Sequence, residues 1–165
     1  MASNDHPPRL PEPSTPFTGV RCHFSSPELG IYAWFVANPD GWICRYSPGM
    51  ILTEEMAQFV ATKGEVALLS HFPSTAKFLF VQDFADMTSY EGGARKIFTD
   101  WGMRISRRTL RTVVIPPPMT PMFRMGLHTA MLALRLAGIQ METCPDLKQV
   151  IKKYNLRPDP RVNKL

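Results

Sequence analysis

An uninterrupted apolar run near the middle of the chain constrains the fold most. Residues 77–84 read KFLFVQDF, and the FLFV stretch shows no alternation between apolar and polar side chains. A strand that is apolar on both faces is typical of the centre of a sheet that is covered on both sides. The run therefore predicts a central strand with other elements packed against each face.

Strand and helix patterns alternate around this run. Strands are predicted at residues 19–24, 31–37, 42–46, 77–84, 111–115 and 139–142, and helices at 53–63, 90–101, 122–136 and 145–154. The first three strands follow one another across turn sequences and predict an antiparallel meander. The later alternation of strands with helices predicts parallel pairing. We expect a single α/β domain with a mixed central sheet.

Several polar residues and one glycine mark the expected helix ends. Thr53 is the expected N-cap of the first helix, and Gly64 the residue at which that helix breaks or ends. Thr88 or Ser89 is expected to cap the second helix, while Thr143 or Cys144 is expected to cap the last.

Both chain ends look unlike the middle. Five of the 16 prolines lie within residues 1–17, which predicts a flexible, disordered proline-rich arm. Residues 155–165 are polar and basic. The predicted organisation is an arm at 1–17, a domain at 18–154 and a basic tail at 155–165.

Composition excludes several protein classes. No apolar run approaches the roughly 20 residues that a membrane helix needs, and residues 1–16 lack the charged-then-apolar pattern of a secretion signal. Three cysteines, Cys22, Cys44 and Cys144, are too scattered for a disulfide framework or a zinc site, and the four histidines show no metal spacing. We expect a cytoplasmic protein without metal or cofactor.

The positive charge is concentrated in two segments. The net charge is +5, yet residues 95–111 carry six basic residues against one acidic residue, and residues 148–165 carry the same numbers. Such segments keep a protein soluble, and they can also meet an acidic partner. Nucleic acid is a poor candidate for that partner, because the arginines of RISRRTLR lack interleaved aromatic residues and any DNA-binding motif.

The order of elements and the central block FLFVQDFADMTSYEGGARKIFTDW resemble the STAS or SpoIIAA-like domains, the anti-sigma factor antagonist group. The resemblance covers residues 19–154. That family places an aspartate at a strand end, then a loop of the form Asp-Ser-Ser/Thr-Gly whose hydroxyl is phosphorylated. Here Asp83 ends the strand. An ungapped placement puts Tyr90 at the phosphoacceptor, and a shift of one residue puts Ser89 there.

Thr88 and Ser89 are the candidate phosphoacceptors that this resemblance implies. Their alternative role is helix capping, because a hydroxyl before a helix can accept a backbone N–H. Phosphate at a helix start would also be stabilised by the helix dipole. Asp83 and Asp86 flank the same loop; two carboxylates can hold magnesium or share a proton, or they can simply cap the turn.

Two further sets of residues are candidate partner contacts. Arg104, Arg107, Arg108 and Arg111 offer planar donor groups for phosphate or carboxylate. Met122 and Met125 share one predicted stripe of their helix with Thr129 and Leu132, and Phe123, Leu127, Ala130 and Leu134 form another. Two apolar stripes suggest burial on two sides, the second against a second copy of the chain, although core packing is the alternative.

The sequence thus predicts a non-enzymatic signalling or scaffold domain that works through protein–protein contact, gated by phosphorylation in the 86–91 loop. The resemblance implies a kinase, a regulator of the anti-sigma type in bacterial regulation, or a scaffold component as partner. The alternative is a carrier of a small, lipid-like hydrophobic ligand, because SpoIIAA-like domains are similar in fold to CRAL-TRIO lipid-binding domains. An enzyme is disfavoured, since no convergent catalytic set is visible.

Overall fold

A computed structural model describes residues 9–118 and 120–162. The strands are β1 Phe24–Ser26, β2 Ile31–Ala37, β3 Gly41–Tyr46, β4 Ile51–Leu52, β5 Phe78–Asp83, β6 Ser89–Tyr90, β7 Thr109–Ile115, β8 Met141–Thr143 and β9 Arg157–Pro158. The α-helices are α1 Glu54–Phe59, α2 Glu65–His71, α3 Gly92–Arg104, α4 Pro121–Leu136 and α5 Leu147–Tyr154. A π-helical turn, Val60–Gly64, joins α1 to α2, and a 3-10 turn, Ser106–Arg108, follows α3.

The sheet is mixed, as predicted. Its order is β1-β2-β3-β5-β7-β8, with β9 also paired to β2. Strands β1, β2 and β3 pair antiparallel, whereas β3, β5, β7 and β8 pair parallel. Strand β5 holds the FLFV run and lies between β3 and β7 with every residue buried. The short strands β4 and β6 form a separate parallel pair.

Helices cover both faces of this sheet. One face carries α1 to α3 over an aromatic core that includes Trp42, Phe80 and Trp101, and α4 covers a smaller cluster beside it on β7 and β8. The other face carries α5 over Val36, Ile43 and other aliphatic residues of alternate strand positions. Successive residues of a strand point to opposite faces, so one apolar run supplies both cores.

The end of the first predicted helix and the start of the last one differ from the structure. The helical segment does not stop at Gly64 but continues to His71. Gly64 is needed for space, because a Cβ there would lie 2.8 Å from the buried Trp42 ring. Helix α5 is capped by Asp146, whose Oδ1 accepts the Gln149 N–H at 2.9 Å, and not by Thr143 or Cys144.

Two predicted strands are also displaced, and both ends of the described chain are packed. The first strand lies at Phe24–Ser26 and the strand before α5 at Met141–Thr143. Pro13 of the arm is buried and Phe17 packs against the α5-side core, in contrast to the flexible arm expected. In the expected tail, Leu156 is buried and β9 joins the sheet. Residues 1–8 and 163–165 of these two segments lie outside the described residues.

Candidate functional site

Asp83 lies in a buried ion pair at the carboxyl end of β5. Its Oδ2 is 2.8 Å from Nε of Arg45, the residue that pairs with it in register on β3. Its Oδ1 accepts the Ala85 N–H at 3.1 Å and so holds the turn after the strand. Burial raises the pKa of the Asp83 carboxyl, and the charge of Arg45 opposes that rise.

Arg45 ties Asp83 to two other segments. Its guanidinium lies 3.5 Å from the half-exposed Asp86 and donates to the backbone carbonyl and the hydroxyl of Ser14 in the arm. The two loop carboxylates therefore share a cation from the protein itself. This places Asp83 and Asp86 in a structural network that fastens the arm across the strand ends.

Thr88 and Ser89 do not cap α3. The N-cap of α3 is Glu91, and its side chain makes no capping bond to that helix. The Glu91 carboxylate instead accepts the Glu54 N–H of α1 at 2.7 Å. Thr88 donates its hydroxyl to the Met50 carbonyl at 3.2 Å, and Ser89 is exposed in β6. Sequence spacing missed the short strand β6, which separates the hydroxyls from the helix start.

The arginines of the 104–111 segment diverge. Arg104 pairs with Glu65 at 2.8 Å, Arg108 donates to the carbonyls of Pro73 and Ala76, and Arg111 pairs with Glu142 at 3.2 Å. Arg107 is exposed and makes no hydrogen bond to the described residues. Three of the four thus stabilise different elements of the fold, and they do not line one common patch.

Both predicted stripes of α4 exist, and they face opposite environments. Met122 and Met125 are 79% and 72% exposed, and Leu132 and Leu136 continue this outer stripe. Phe123, Leu127, Ala130 and Leu134, the second stripe, face the interior. Helix α4 therefore packs with one apolar side and presents the other to solvent, where no described residue covers it.

Beneath α4 lies an apolar cavity of about 120 Å³. It is bounded by α3, α4 and the strands β5, β7 and β8, and its wall is mainly aromatic and aliphatic: Phe80, Phe84, Met87, Phe98, Trp101, Ile105, Val114, Phe123, Leu127, Met131, Leu134 and Met141. An engineered apolar cavity of about 150 Å³ in another protein binds benzene. The present cavity is somewhat smaller but of the same order of size.

Glycines let α4 approach its neighbours around this cavity. A Cβ at Gly102 of α3 would lie 2.8 Å from the Leu134 side chain, and a Cβ at Gly126 of α4 would overlap the Tyr90 hydroxyl. The Tyr90 ring also packs edge-on against Phe123, with ring centroids 4.7 Å apart. The loop with the candidate phosphoacceptors and the first turns of α4 are therefore in direct contact.

Few polar groups reach the cavity wall. Gln82 is 5% exposed, and its Oε1 accepts the Tyr46 hydroxyl at 2.9 Å. The hydroxyl of Thr99 donates to the Arg95 carbonyl at 2.9 Å, so that side chain is already satisfied. Arg95 is the one cation in the wall, and it is partly exposed beside Tyr90.

A second polar cluster, which sequence reasoning missed, fastens the C-terminal segment. Asp159 is fully buried, 2.7 Å from His71 Nε2 and 2.8 Å from Arg161 Nε. Burial opposes the charged form of Asp159, but hydrogen bonds from Arg161 and His71 outweigh it and lower the pKa of that carboxyl. Nearby, burial lowers the pKa of His23, whose Nδ1 accepts the Phe35 N–H at 2.7 Å.

No sequence signal marked this cluster, because His71 and Asp159 are 88 residues apart along the chain. Among residues 9–118 and 120–162, no three His, Cys, Asp or Glu side chains are grouped so that they could hold a metal ion. None of the helices described has the length and apolar character that crossing a bilayer requires.

No protein-family model matches the chain, and no curated protein sequence does. A search of solved structures found the crystal structure of an uncharacterised protein of the DUF3478 family from Shewanella loihica PV-4, described as having a SpoIIAA-like fold. The match has a TM-score of 0.50 at 15% identity and covers 79% of this chain and 98% of that one. With its mixed sheet and element order, the chain has a SpoIIAA-like fold, as the sequence resemblance implied.

Proposed function

We propose that this protein is a non-enzymatic binding protein for a small hydrophobic ligand, held in the cavity beneath α4. The observation that carries the proposal is the cavity wall, which is almost wholly aromatic and aliphatic over about 120 Å³. Well-packed cores leave few voids larger than a water molecule. An apolar space of this size favours an apolar guest over water, because water needs two to four polar partners.

Binding of toluene tests this proposal. Toluene is a ring-sized apolar probe, and a ligand that binds only the folded state raises the melting temperature. We expect toluene to raise the Tm of the wild-type protein and to give a saturable heat in calorimetry. Native mass spectrometry of protein purified under mild conditions would then search for the ligand that the cell supplies.

Matched variants locate the binding. Ala130 lies in the cavity wall, and its neighbour Thr129 is on the exposed side of α4. Ala130→Phe fills the cavity and should abolish the toluene effect, whereas Thr129→Phe adds the same ring outside and should keep it. Wild-type protein that shows neither a Tm rise nor a heat of binding would refute the carrier function.

A second candidate function is docking of a protein partner on the outer stripe of α4, gated by the 86–91 loop. Two observations favour it. First, Met122 and Met125 of α4 are the most exposed methionines of the described chain. Second, Tyr90, which follows Ser89 in β6, packs on Phe123 of α4. A phosphate on Ser89 would add about two negative charges next to Tyr90, which contacts the first turn of α4.

The charge around the outer stripe indicates what partner would fit. Helix α4 carries Arg124 and Arg135 and no aspartate or glutamate. On α4 itself, the exposed Arg124, His128 and Arg135 form a line beside the apolar stripe at helical spacing. We therefore propose a partner with an apolar contact surface and acidic residues around it.

Substitution of Ser89 tests the gate. Ser89→Asp should change the affinity for such a partner by at least about tenfold, or roughly 1.4 kcal/mol. Ser70→Asp is the control, because Ser70 is an exposed serine on α2. The partner is obtained by affinity capture, and its affinity is measured by calorimetry with both variants. Equal affinities would remove the gate.

A further inference from the structure

One buried polar side chain in the wall of the cavity has an atom without a hydrogen-bond partner. Three buried side-chain atoms of the described residues have no hydrogen-bond partner: Trp42 Nε1, Ser47 Oγ and Gln82 Nε2. Of these three residues, only Gln82 belongs to the cavity wall. A buried donor without an acceptor is costly, and native proteins rarely keep one without a reason.

The neighbours of Gln82 fix which end of its amide is unpartnered. Tyr46 is 1% exposed, and its hydroxyl donates to Gln82 Oε1 at 2.9 Å. Burial raises the pKa of Tyr46 well above its usual value, so the phenol keeps the proton that it donates. The Tyr46 ring is itself held by stacking on Phe84, with centroids 5.2 Å apart. In the structure the amide has its Oε1 occupied by Tyr46, and its Nε2 has no hydrogen-bond partner.

The surroundings of Gln82 determine whether a group that accepts hydrogen bonds from Nε2 can carry a charge. Phe80 and Phe84 lie two residues away on the strand, and Val114 pairs with Gln82 from β7; all three line the cavity. Arg95, the one cation in the wall, lies beside Tyr90 and forms no hydrogen bond with Gln82, and burying a carboxylate against Gln82 without a paired cation is strongly unfavourable. A neutral carbonyl oxygen accepts the same hydrogen bond without that cost.

Resting on the proposed carrier function, we propose that the ligand of this cavity is a neutral carbonyl compound, a ketone, aldehyde, ester or amide, whose oxygen accepts a hydrogen bond from Gln82 Nε2. The apolar part of the molecule occupies the space among the aromatic and aliphatic wall residues. Gln82 is then the residue that selects for a carbonyl over a hydrocarbon of the same shape.

Two probes of nearly equal shape test this selection. Acetophenone and α-methylstyrene differ by one group, a carbonyl oxygen in place of a methylene carbon. Their association constants are measured by calorimetry for the wild-type protein and for Gln82→Met, which keeps the side-chain length and removes the amide. Each protein gives one ratio, the association constant of acetophenone divided by that of α-methylstyrene. Comparing this ratio between proteins removes the general difference in hydrophobicity between the two probes. We expect this ratio to fall about fivefold or more in Gln82→Met.

Two further variants guard against a folding artefact. Gln82→Met leaves the Tyr46 hydroxyl without its acceptor, so the double variant Tyr46→Phe with Gln82→Met removes both partners together. It should show the same loss of selectivity. Tyr46→Phe alone keeps the amide and should retain the preference for acetophenone.

The outcomes separate this inference from the function on which it rests. If both probes bind but their ratio is the same in all four proteins, the carbonyl assignment is wrong and the carrier function stands. If neither probe binds the wild-type protein, both the carrier function and the carbonyl assignment fail.

Discussion

At the scale of single residues, the identity of Gly64 is set by the ring beside it. Helix propensity alone predicts that Gly64→Ala stabilises the helix by up to about 1 kcal/mol. The Trp42 ring is fully buried and lies 2.8 Å from the position of the added methyl group. Overpacking of a core typically costs about 1–3 kcal/mol. We expect Gly64→Ala to lower the free energy of unfolding, measured by urea denaturation.

The partner residue supplies the control for this prediction. Trp42→Phe removes the outer edge of the ring, so Gly64→Ala should be less destabilising in the Trp42→Phe background than in the wild type. Additive effects of the two substitutions would show that the ring does not set the identity of residue 64.

His23 gives a prediction about pH at the same scale. Its pKa is lowered from 6.5, chiefly by burial and then by His71, and its Nδ1 must be unprotonated to accept the Phe35 N–H. The unfolded chain therefore binds a proton at higher pH than the folded chain does. Stability from this residue is complete above pH 6.5 and is lost as the pH falls from 6.5 through the lower folded pKa.

The variant His23→Gln keeps a side-chain acceptor but does not titrate. Free energies of unfolding are compared at pH 7.5 and at about pH 5.5, a window chosen around the usual histidine pKa. The wild-type protein should lose more stability between them than His23→Gln does. Equal losses in the two proteins would assign the acid sensitivity to other groups.

At the scale of elements, strand β9 depends on Asp159. Asp159 is fully buried and joins His71, Arg161 and, through its backbone N–H, the Phe35 carbonyl of β2. The Arg161 side chain is 43% exposed, so water can hydrate the charge that Asp159 leaves behind. The expected cost is that of lost hydrogen bonds to a charged group, about 1.5–3 kcal/mol. Asp159→Ala should therefore destabilise the protein by about that amount and expose the backbone amide of residue 159, which donates to the Phe35 carbonyl, to hydrogen exchange.

Asp100→Ala is the matched control for this element. Asp100 is likewise an ion-paired aspartate, and its partner is Lys96, but both side chains are more than half exposed. Exposed pairs contribute about 0–1 kcal/mol, so this variant should be nearly neutral. A small effect of Asp159→Ala as well would mean that β9 is held by Leu156 and its apolar contacts.

The elements also show what sequence reasoning can and cannot reach. Long apolar patterns predicted β2, β5 and α4 closely, because each is fixed by the residues it contains. The stripe of Phe123 and Leu127 was predicted as well, from helical spacing alone. By contrast, β6 and β9 have two residues each and exist only because a distant strand supplies their hydrogen bonds.

The candidate site was likewise predicted only in part from the sequence. The two stripes of α4 followed from its pattern, but the stripe that faces solvent did not, and neither did the cavity, because its wall is assembled from separate elements that meet only in the fold. Gln82 was not predicted as a site residue, because it lies in an otherwise apolar strand and its role depends on Tyr46, 36 residues earlier. The Arg45–Asp83 pair likewise needs the register of β3 on β5, which no local pattern encodes.

At the scale of the whole molecule, charge is distributed so that copies of the chain repel each other at the outer stripe of α4. All 14 acidic residues lie outside residues 101–141. Two copies that met through this stripe would bring Arg124 and Arg135 of each together, which is unfavourable at low ionic strength. The apolar contact between Met122, Met125 and Leu132 would nevertheless favour the pair.

We therefore expect salt to strengthen any association of two copies through this stripe. We expect sedimentation equilibrium to show weaker association in low salt than at about 0.5 M salt, where charges farther apart than a few ångströms are screened. Leu132→Asp should abolish the association because it places a charge in the apolar stripe. Val66→Asp is the control, since Val66 is 62% exposed on α2, away from α4. Association that weakens with salt would instead mean that the arginines of one copy meet acidic residues of the other, and the outer stripe would then not be the contact.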